Sequence, residues 1–368
     1  MKSIQSYPNQ EIFDRILNIH GIVGKNYNYR GYEDLHFLYR LNKIFSDKPY
    51  GEIIDRTGNT KYPFQVHVRL PWTIPTKELS LEQVCENRVC EIAATNPKHY
   101  YVYWSGGIDS TLALVSILKV IEHDKITVVM SNRSITEYPE FYEQHINGKL
   151  TVLQLHDQIP INHGVHITGD PADTIWAILD DSFMGGAAAN YLHAPYEDYF
   201  RIRGADDEFL AKTAIFNSHS GHEIKTLFEA RWWYYLNCKS QSKSVSIITR
   251  FNTAENFCPF YESRDFDNWS YYNTDRMIIG SDWKTYKFPA KDIIYKFDKN
   301  IGYHQDKTKE YSNDPVQFVN KTPHNFRDIP LFITDDFRKP VLSSGIFFSK
   351  NIYRQELYDT YAELFKPT

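Results

Sequence analysis

The sequence predicts an α/β protein built on a doubly wound parallel sheet. From residue 99 onward, short apolar strand patterns alternate with segments of helical spacing. Strands that are separated by helices pair in parallel and are covered by helices on both faces. Apolar residues make up 42% and aromatic residues 15% of the 368-residue chain. This composition excludes a chain that is mostly disordered.

The first 98 residues predict a mixed α/β region. Apolar residues recur at helical spacing over 11–19 and 33–45, whereas 64–70 alternates apolar and polar residues as a half-buried strand does. A helix over 80–95 begins at Ser80, which is followed three residues later by Gln83, the pattern of a capping box.

The central region carries the alternating pattern. Its predicted strands are 100–104, 126–130, 150–155 and 165–168, and its predicted helices are 112–121, 141–146, 172–179, 208–216 and 223–236. Parallel sheets bind ligands at the carboxyl ends of their strands. The site is therefore expected just after Trp104, Met130 and Thr168.

The remaining segments complete the predicted organisation. A strand or buried helix is predicted near 245–249, a polar, turn-rich stretch over 299–330, a strand over 331–333 and a helix over 353–365. We expect an N-terminal mixed α/β region over 1–98, a nucleotide-binding domain over 99–300 and a C-terminal extension over 301–368.

Charge and cysteine content exclude several classes of protein. The formal net charge of −5 argues against a large nucleic-acid surface, and no apolar run approaches the ~18 residues of a membrane span. The first residues have no apolar core like that of a secretory signal. The four cysteines are scattered and form no CxxC pair, which is typical of free thiols in a reducing compartment. We expect a cytoplasmic protein without membrane association.

Residues 101–111, YVYWSGGIDST, predict a strand, a tight glycine turn and the start of a helix. Gly106 and Gly107 let the backbone approach a ligand, and the amides at a helix start attract an anion. Asp109 opposes a phosphate unless a cation lies between them, which suggests magnesium pyrophosphate. The residues that add hydroxyl donors to the loop are Ser105, Ser110 and Thr111.

Ser-Gly-Gly-x-Asp-Ser is the signature of the PP-loop ATP pyrophosphatase superfamily, and residues 105–110 resemble it at every defining position. The resemblance implies an adenine nucleotide alpha hydrolase-like fold. It also implies binding of ATP with Mg²⁺, and cleavage of ATP between the α and β phosphates to give AMP and pyrophosphate. The loop is not a Walker A loop, which needs Gly-Lys-Ser/Thr after a four-residue spacer.

Residues 167–174, ITGDPADT, resemble the loop that ends a strand in asparagine synthetases. By this resemblance Asp170 stands at the position of the family's catalytic Glu, and Asp173 at that of its magnesium Asp, so that Asp173 would share the metal with Asp109. Thr174 and Pro171 depart from the family pattern. Helix capping by Asp170 is the alternative interpretation.

Two weaker segments also resemble that family. Residues 255–262 match its Glu-x-Arg-x-Pro-Phe-Leu-Asp at three positions, with Phe257 in place of the Arg. Residues 291–295 are similar to its Lys-x-Ile-Leu-Arg, so Lys291 would reach the pyrophosphate; Lys284 and Lys287 are the nearby alternatives. The backbone segment expected to contact adenine consists of Val129, Met130 and Ser131.

The combined prediction is an AMP-forming ligase that adenylates a carboxylate and transfers it to ammonia or an amine. The 98 residues before the loop are too few for the glutaminase domain of asparagine synthetases, so an amine-supplying partner protein or a homo-oligomer is considered. One alternative is activation of a nucleobase or tRNA base, for which the aromatic segment 231–235 is a candidate stacking surface. A second alternative is a degenerate nucleotide-binding scaffold. His219 and His222 have metal-like spacing but no cysteine partners nearby, which favours solvated histidines.

Overall fold

A computed structural model of the chain describes residues 33–45, 55–61, 68, 70–154, 164–177, 187–240 and 256–307. The chain divides into two compact units, Met1–Arg69 with Ser312–Thr368, and Leu70–Tyr311. Within the first unit, helix α1 (Glu33–Phe45) has the predicted bounds. The second unit extends beyond the predicted 99–300 at both ends, and it includes the helix predicted over 80–95.

The second unit is an α/β structure with a five-stranded, all-parallel sheet. The strands are β1 (Tyr100–Tyr103), β2 (Ile126–Met130), β3 (Thr151–Gln154), β4 (Val165–Thr168) and β5 (Phe257–Pro259). Their spatial order is β3-β2-β1-β4-β5. The chain therefore leaves β1 toward one edge and returns to pair β4 with the other side of β1. Ligands of open α/β sheets bind at such a change of direction.

The described helices of this unit follow the predicted alternation. They are α2 (Leu81–Ala94), α3 (Ile108–Leu118), α4 (Asn132–Glu137), α5 (Pro139–Phe141), α6 (Ala172–Ile175), α7 (Tyr196–Ile202), α8 (Asp207–Ser218), α9 (Leu227–Tyr234), α10 (Arg264–Tyr272), α11 (Phe288–Asp298) and α12 (Ile301–Asp306). Helices α5 and α9 each continue into a π-helical turn, Tyr142–Ile146 and Tyr235–Lys239, and short 3-10 helices span His123–Lys125, Ala187–Tyr191, Thr274–Arg276 and Trp283–Thr285. The predicted capping box of α2 is confirmed.

Several predictions lie outside the described residues. These are the elements at 11–19, 245–249, 331–333 and 353–365, most of the strand at 64–70, and the last residues of the helix at 172–179. Among the residues that the structure does describe, no helix has both the length and the apolar character needed to cross a bilayer.

The central strands and α3 contribute to the buried core. Val102, Val128 and Ile167 are fully buried at the centre of three neighbouring strands. All residues of α3 except Asp109 are buried, which explains its unbroken apolar run. Full burial of each such aliphatic side chain contributes about 1.5–3 kcal/mol. Because α3 follows directly from the glycine turn, this burial also fixes the turn at the carboxyl edge of the sheet.

Strand β5 was not predicted as a strand. It is only three residues long and contains Pro259, and proline is tolerated at the edge of a sheet, where one side of the backbone has no ladder partner. The buried Arg88 of α2 holds this edge by donating to the carbonyls of Pro259 at 2.7 Å and Phe260 at 3.0 Å. A residue from a distant part of the chain, Arg88, therefore helps to hold β5 in place.

Candidate functional site

The glycine turn after β1 has the geometry that its sequence predicts. Gly106 has a φ of +81°, and a Cβ at this position would lie 2.5 Å from the Ser134 carbonyl oxygen. The turn is therefore restricted to glycine both by its backbone angle and by the close approach of α4. Gly107 has an extended backbone and is the N-cap of α3, whose first-turn amides and dipole favour an anion.

The three predicted hydroxyl donors of the loop have different surroundings. The Ser110 hydroxyl lies 2.9 Å from the hydroxyl of the exposed Ser105 and donates to the Gly107 carbonyl at 3.1 Å. Thr111 is fully buried, and its Oγ1 accepts a hydrogen bond from the Trp104 indole at 3.0 Å. Ser105 is therefore positioned to meet a ligand, whereas Thr111 faces the core.

The loop after β4 lies against the glycine turn. A Cβ on Gly169 would be 3.0 Å from the Ser110 amide nitrogen, so the two loops nearly touch. The half-buried Asp170 donates its backbone N–H to the Thr168 hydroxyl at 3.4 Å. Thr174 is fully buried, and its hydroxyl donates to the Pro171 carbonyl at 2.7 Å. Thr174, which stands where the resembled family has an acidic residue, therefore caps its own turn in this chain.

Asp109 and Asp173 meet at one lysine. The Nζ of Lys287 lies 2.6 Å from Oδ2 of Asp109 and 2.9 Å from Oδ1 of Asp173. The lysine side chain is 3% exposed, whereas the two carboxylates are 26% and 27% exposed. Burial disfavours the charged form of Lys287, but the two carboxylates outweigh it and hold its pKa well above the ordinary value. The result is a compact group of two negative charges and one positive charge.

Lys291 lies one helical turn beyond Lys287 and faces elsewhere. Its ammonium donates to the backbone carbonyls of Lys284 and Lys307. Burial lowers the pKa of Lys291 to about 8, and the nearby carboxylates offset only part of that effect. Of the three candidate lysines, Lys287 is the one that the fold brings to the predicted carboxylates.

The end of β2 contributes mostly through backbone. The Val129 carbonyl accepts a hydrogen bond from the Trp104 amide at 2.9 Å, and Met130 pairs with Gln154 of β3. Ser131 is the N-cap of α4 and shares a capping box with Ser134. Because Val129 and Met130 are engaged in the sheet, Ser131 is the predicted adenine contact that lies at the open end of the strand.

Two tyrosines contact the loop from distant parts of the chain. The hydroxyl of the buried Tyr261 donates to the Asp109 carbonyl at 2.9 Å, and that of Tyr303 donates to the Gly106 carbonyl at 3.3 Å. No sequence pattern connects either tyrosine to the loop. They lie in the turn after β5 and in α12, and only the folded chain brings them to it.

The two carboxylates of the site are the kind of ligand that a divalent cation binds. Carboxylates are ligands that Mg²⁺ prefers, and both aspartates already bind one cation in common. Within the described part of the chain, no group of three or more His, Cys, Asp and Glu side chains is arranged to hold a metal ion. Asp109 and Asp173 would supply two carboxylates to such a cation, and Lys287 would compete with it for both.

The other sequence candidates belong to the structural core or lie apart. Trp232 and Trp233 are fully buried, so the aromatic segment 231–235 does not present these rings to a nucleic-acid base. His222 lies 3.7 Å from Glu229, the acidic residue of the capping box of α9. These residues therefore stabilise α9.

No protein-family model matches the chain, and no curated protein matches its sequence. Its function has to follow from the chemistry of its own site.

Proposed function

We propose that the protein is an ATP-dependent, AMP-forming ligase that adenylates a carboxylate and transfers the acyl group to ammonia or an amine. One observation carries the proposal. Asp109 and Asp173, far apart in sequence, meet at Lys287 beside a glycine turn, where the order of the parallel strands changes direction. Acidic side chains beside an anion-binding turn suit a phosphate that arrives with its own cation.

Each group of the site has a role in this reaction. The amides after Gly106 and the dipole of α3 favour the β and γ phosphates. Asp109 and Asp173 would hold the Mg²⁺ of the substrate Mg-ATP, which neutralises charge on the phosphates. The ammonium of Lys287 adds positive charge where pyrophosphate departs. Lys291 is one turn further from these carboxylates and supports the position of Lys284 and Lys307.

The proposed chemistry has two steps. A carboxylate oxygen of the substrate attacks the α-phosphorus, and the bond from that phosphorus to the α–β bridging oxygen breaks, so that pyrophosphate leaves with the electron pair. The amine nitrogen then attacks the acyl carbon, and AMP leaves. Asp170, at the end of β4, is the group proposed to accept the proton that the amine loses.

A specific observation favours one other function, nucleotide binding without turnover. Thr174 and Phe257 replace charged residues of the resembled family, and both are buried, Phe257 in β5 opposite His166. The site therefore has fewer charges than that family's. A scaffold of this kind binds ATP and forms no AMP.

Product analysis separates these functions. The protein is incubated with Mg-ATP and pooled amino acids plus ammonia, and AMP, ADP, phosphate and pyrophosphate are quantified. We expect AMP and pyrophosphate from the wild type, and about a hundredfold less from Asp109→Asn. Asp207→Asn is the matched control, because Asp207 also pairs with a cation, Arg201 at 2.8 Å, but on the exposed surface. ADP and phosphate as products would overturn the proposal, and bound ATP without AMP would favour the scaffold.

A further inference from the structure

An acidic side chain lies beside the glycine turn. A Cβ built on Gly107 would lie 3.3 Å from Oε1 of Glu137 and 3.3 Å from the Ser105 hydroxyl oxygen. A Cβ built on Gly106 would lie 2.8 Å from the Cβ of the same glutamate. Glu137 is the last residue of α4, the helix that follows β2. A carboxylate is therefore placed against the turn whose helix start favours an anion.

Glu137 belongs to a buried ion pair. Its Oε1 lies 3.3 Å from Nζ of Lys307, and the two side chains are 17% and 7% exposed. The backbone of Lys307 is held from two sides, because its N–H donates to the Tyr303 carbonyl at 3.1 Å and its carbonyl accepts from the Lys291 ammonium at 3.2 Å. Contacts from α4, α11 and α12 therefore determine where this pair of charges lies.

The negative member of the pair is the nearer one to the turn. The Glu137 oxygen is 3.3 Å from the point where a Gly107 Cβ would stand, whereas the Lys307 ammonium is more than 4 Å from that point. An anion that binds at the turn therefore meets the carboxylate before it meets the ammonium.

Neither stability nor metal coordination accounts for this arrangement. Burying two charges costs about as much free energy as their attraction returns, so a buried ion pair contributes little net stability. Over the ranges that the structure describes, Glu137 also forms no metal-binding group with other acidic, histidine or cysteine side chains. The remaining effect of Glu137 is electrostatic, because its negative charge acts on an anion that enters the turn.

The size of this effect depends on the charge of the anion. Coulomb repulsion is proportional to the product of the two charges, and salt screens it only weakly at a partly buried site. Free pyrophosphate and free ATP carry more negative charge than their Mg²⁺ complexes do. Glu137 therefore opposes the metal-free forms more strongly than the Mg²⁺ complexes.

We propose that Glu137 is a specificity-determining residue of the glycine turn, and that its carboxylate excludes phosphate anions that arrive without a bound cation. This inference rests on the proposed function and adds to it, because Mg²⁺ becomes a condition for binding as well as for chemistry. Asp109 and Asp173 favour the Mg²⁺ complex by attracting its cation, whereas Glu137 disfavours the anion that lacks one.

Three variants and one control test Glu137. Glu137→Gln keeps the shape of the side chain and removes its charge. Lys307→Gln removes the ammonium and leaves the carboxylate, and the double variant removes both charges. The matched control is Glu82→Gln, because Glu82 also pairs with a lysine, Lys296 at 3.0 Å, but lies on α2 and is 39% exposed.

The measurement is the affinity of the full chain for inorganic pyrophosphate, by titration calorimetry, with Mg²⁺ and after removal of divalent cations on a chelating resin. The selectivity is the dissociation constant of the metal-free form divided by that of the Mg²⁺ complex. We expect Glu137→Gln to strengthen metal-free binding roughly tenfold and binding of the complex only about threefold, so that the selectivity falls about threefold. Lys307→Gln should raise the selectivity, and Glu82→Gln should leave it unchanged.

The opposite signs of the two single variants distinguish this role from a structural one. A pair that only stabilises the turn would weaken binding of both forms in Glu137→Gln and in Lys307→Gln alike, and that result would overturn the inference. Equal gains for both forms in Glu137→Gln would also overturn it. If Glu137→Gln does not fold, the double variant decides, because it leaves neither member of the pair charged and its selectivity should be below that of Lys307→Gln.

The outcomes also separate the inference from the proposed function. A wild type that binds pyrophosphate with the expected response of the variants but forms no AMP would overturn the ligase proposal alone. A wild type that forms AMP while Glu137→Gln keeps the wild-type selectivity would overturn the inference alone. A wild type that binds neither form of pyrophosphate would overturn both.

Discussion

Replacement of Gly106 by alanine tests the geometry of the glycine turn after β1 without reference to any substrate. An alanine there adopts a φ of +81°, and its Cβ would lie 2.5 Å from the Ser134 carbonyl oxygen and 2.8 Å from the Glu137 Cβ. Neither neighbour is the end of a flexible side chain, so the loop or α4 must move. Gly106→Ala therefore combines a backbone cost with a steric cost.

The two costs are separable, because Gly204 has almost the same φ, +85°, and open space around its missing side chain. A left-handed backbone destabilises a non-glycine residue by about 1–2 kcal/mol. Alanine also lowers the entropy of the unfolded chain, which stabilises the folded protein by about 0.4–1 kcal/mol. Overpacking adds about 1–3 kcal/mol. We expect Gly204→Ala to lower the free energy of unfolding by about 1 kcal/mol and Gly106→Ala to lower it by about 2–4 kcal/mol.

Urea unfolding followed by circular dichroism measures both variants against the wild type. Equal losses in Gly106→Ala and Gly204→Ala would mean that α4 does not restrict the turn. The affinity for Mg-ATP adds a second readout, since a loop that moves to admit the Cβ also moves its amides. A Gly106→Ala variant with wild-type stability and affinity would refute the reasoning.

Two further predictions concern the lysines of α11. Folded Lys291 has a pKa of about 8, whereas an exposed lysine has a pKa of 10.5. Between these two pH values the unfolded chain binds more protons than the folded chain, so the wild type should gain stability relative to Lys291→Met as pH rises through this range. Urea midpoints of the two proteins that change equally with pH would contradict this prediction. The Lys287→Met substitution removes the ammonium that Asp109 and Asp173 share. The variant protein should therefore bind Mn²⁺ more tightly than the wild type in the absence of nucleotide, and water-proton relaxation measures this binding. Lys284→Met, which breaks the exposed pair with Asp306, is the control and should not change Mn²⁺ binding.

The parts of the fold that depend on local patterns were predictable from sequence. Strands β2 and β4 have the predicted bounds, because β-branched residues in short apolar runs identify strands of a buried parallel sheet. β5 was missed because three residues around a proline carry no periodicity, and because its contacts include Arg88 of α2, which is distant in sequence. Contacts between distant segments leave no such local signal.

The candidate site shows the same division. The loop 105–111 is contiguous, so its turn, its helix start and its place at the sheet edge follow from residues that are adjacent in sequence. The sequence contained Lys284, Lys287 and Lys291 as similar candidates for one cation, and only the packing of α11 against α3 distinguishes them. The inward orientation of Thr111 likewise depends on the fold, which brings the indole of Trp104 to the Thr111 hydroxyl.

The backbone of Lys287 is strained, and the two hydrogen bonds of its side chain in the site are large enough to offset that strain. The residue is the N-cap of α11 and has a φ of +59°, where glycine is favoured and a side chain costs about 1–2 kcal/mol. It makes no side-chain bond to that helix, so capping does not explain its presence. Two hydrogen bonds to carboxylates, each worth about 1.5–3 kcal/mol, are large enough to offset the strain. The strained backbone places the Lys287 ammonium between Asp109 and Asp173, and residues held in strained conformations cluster at functional sites.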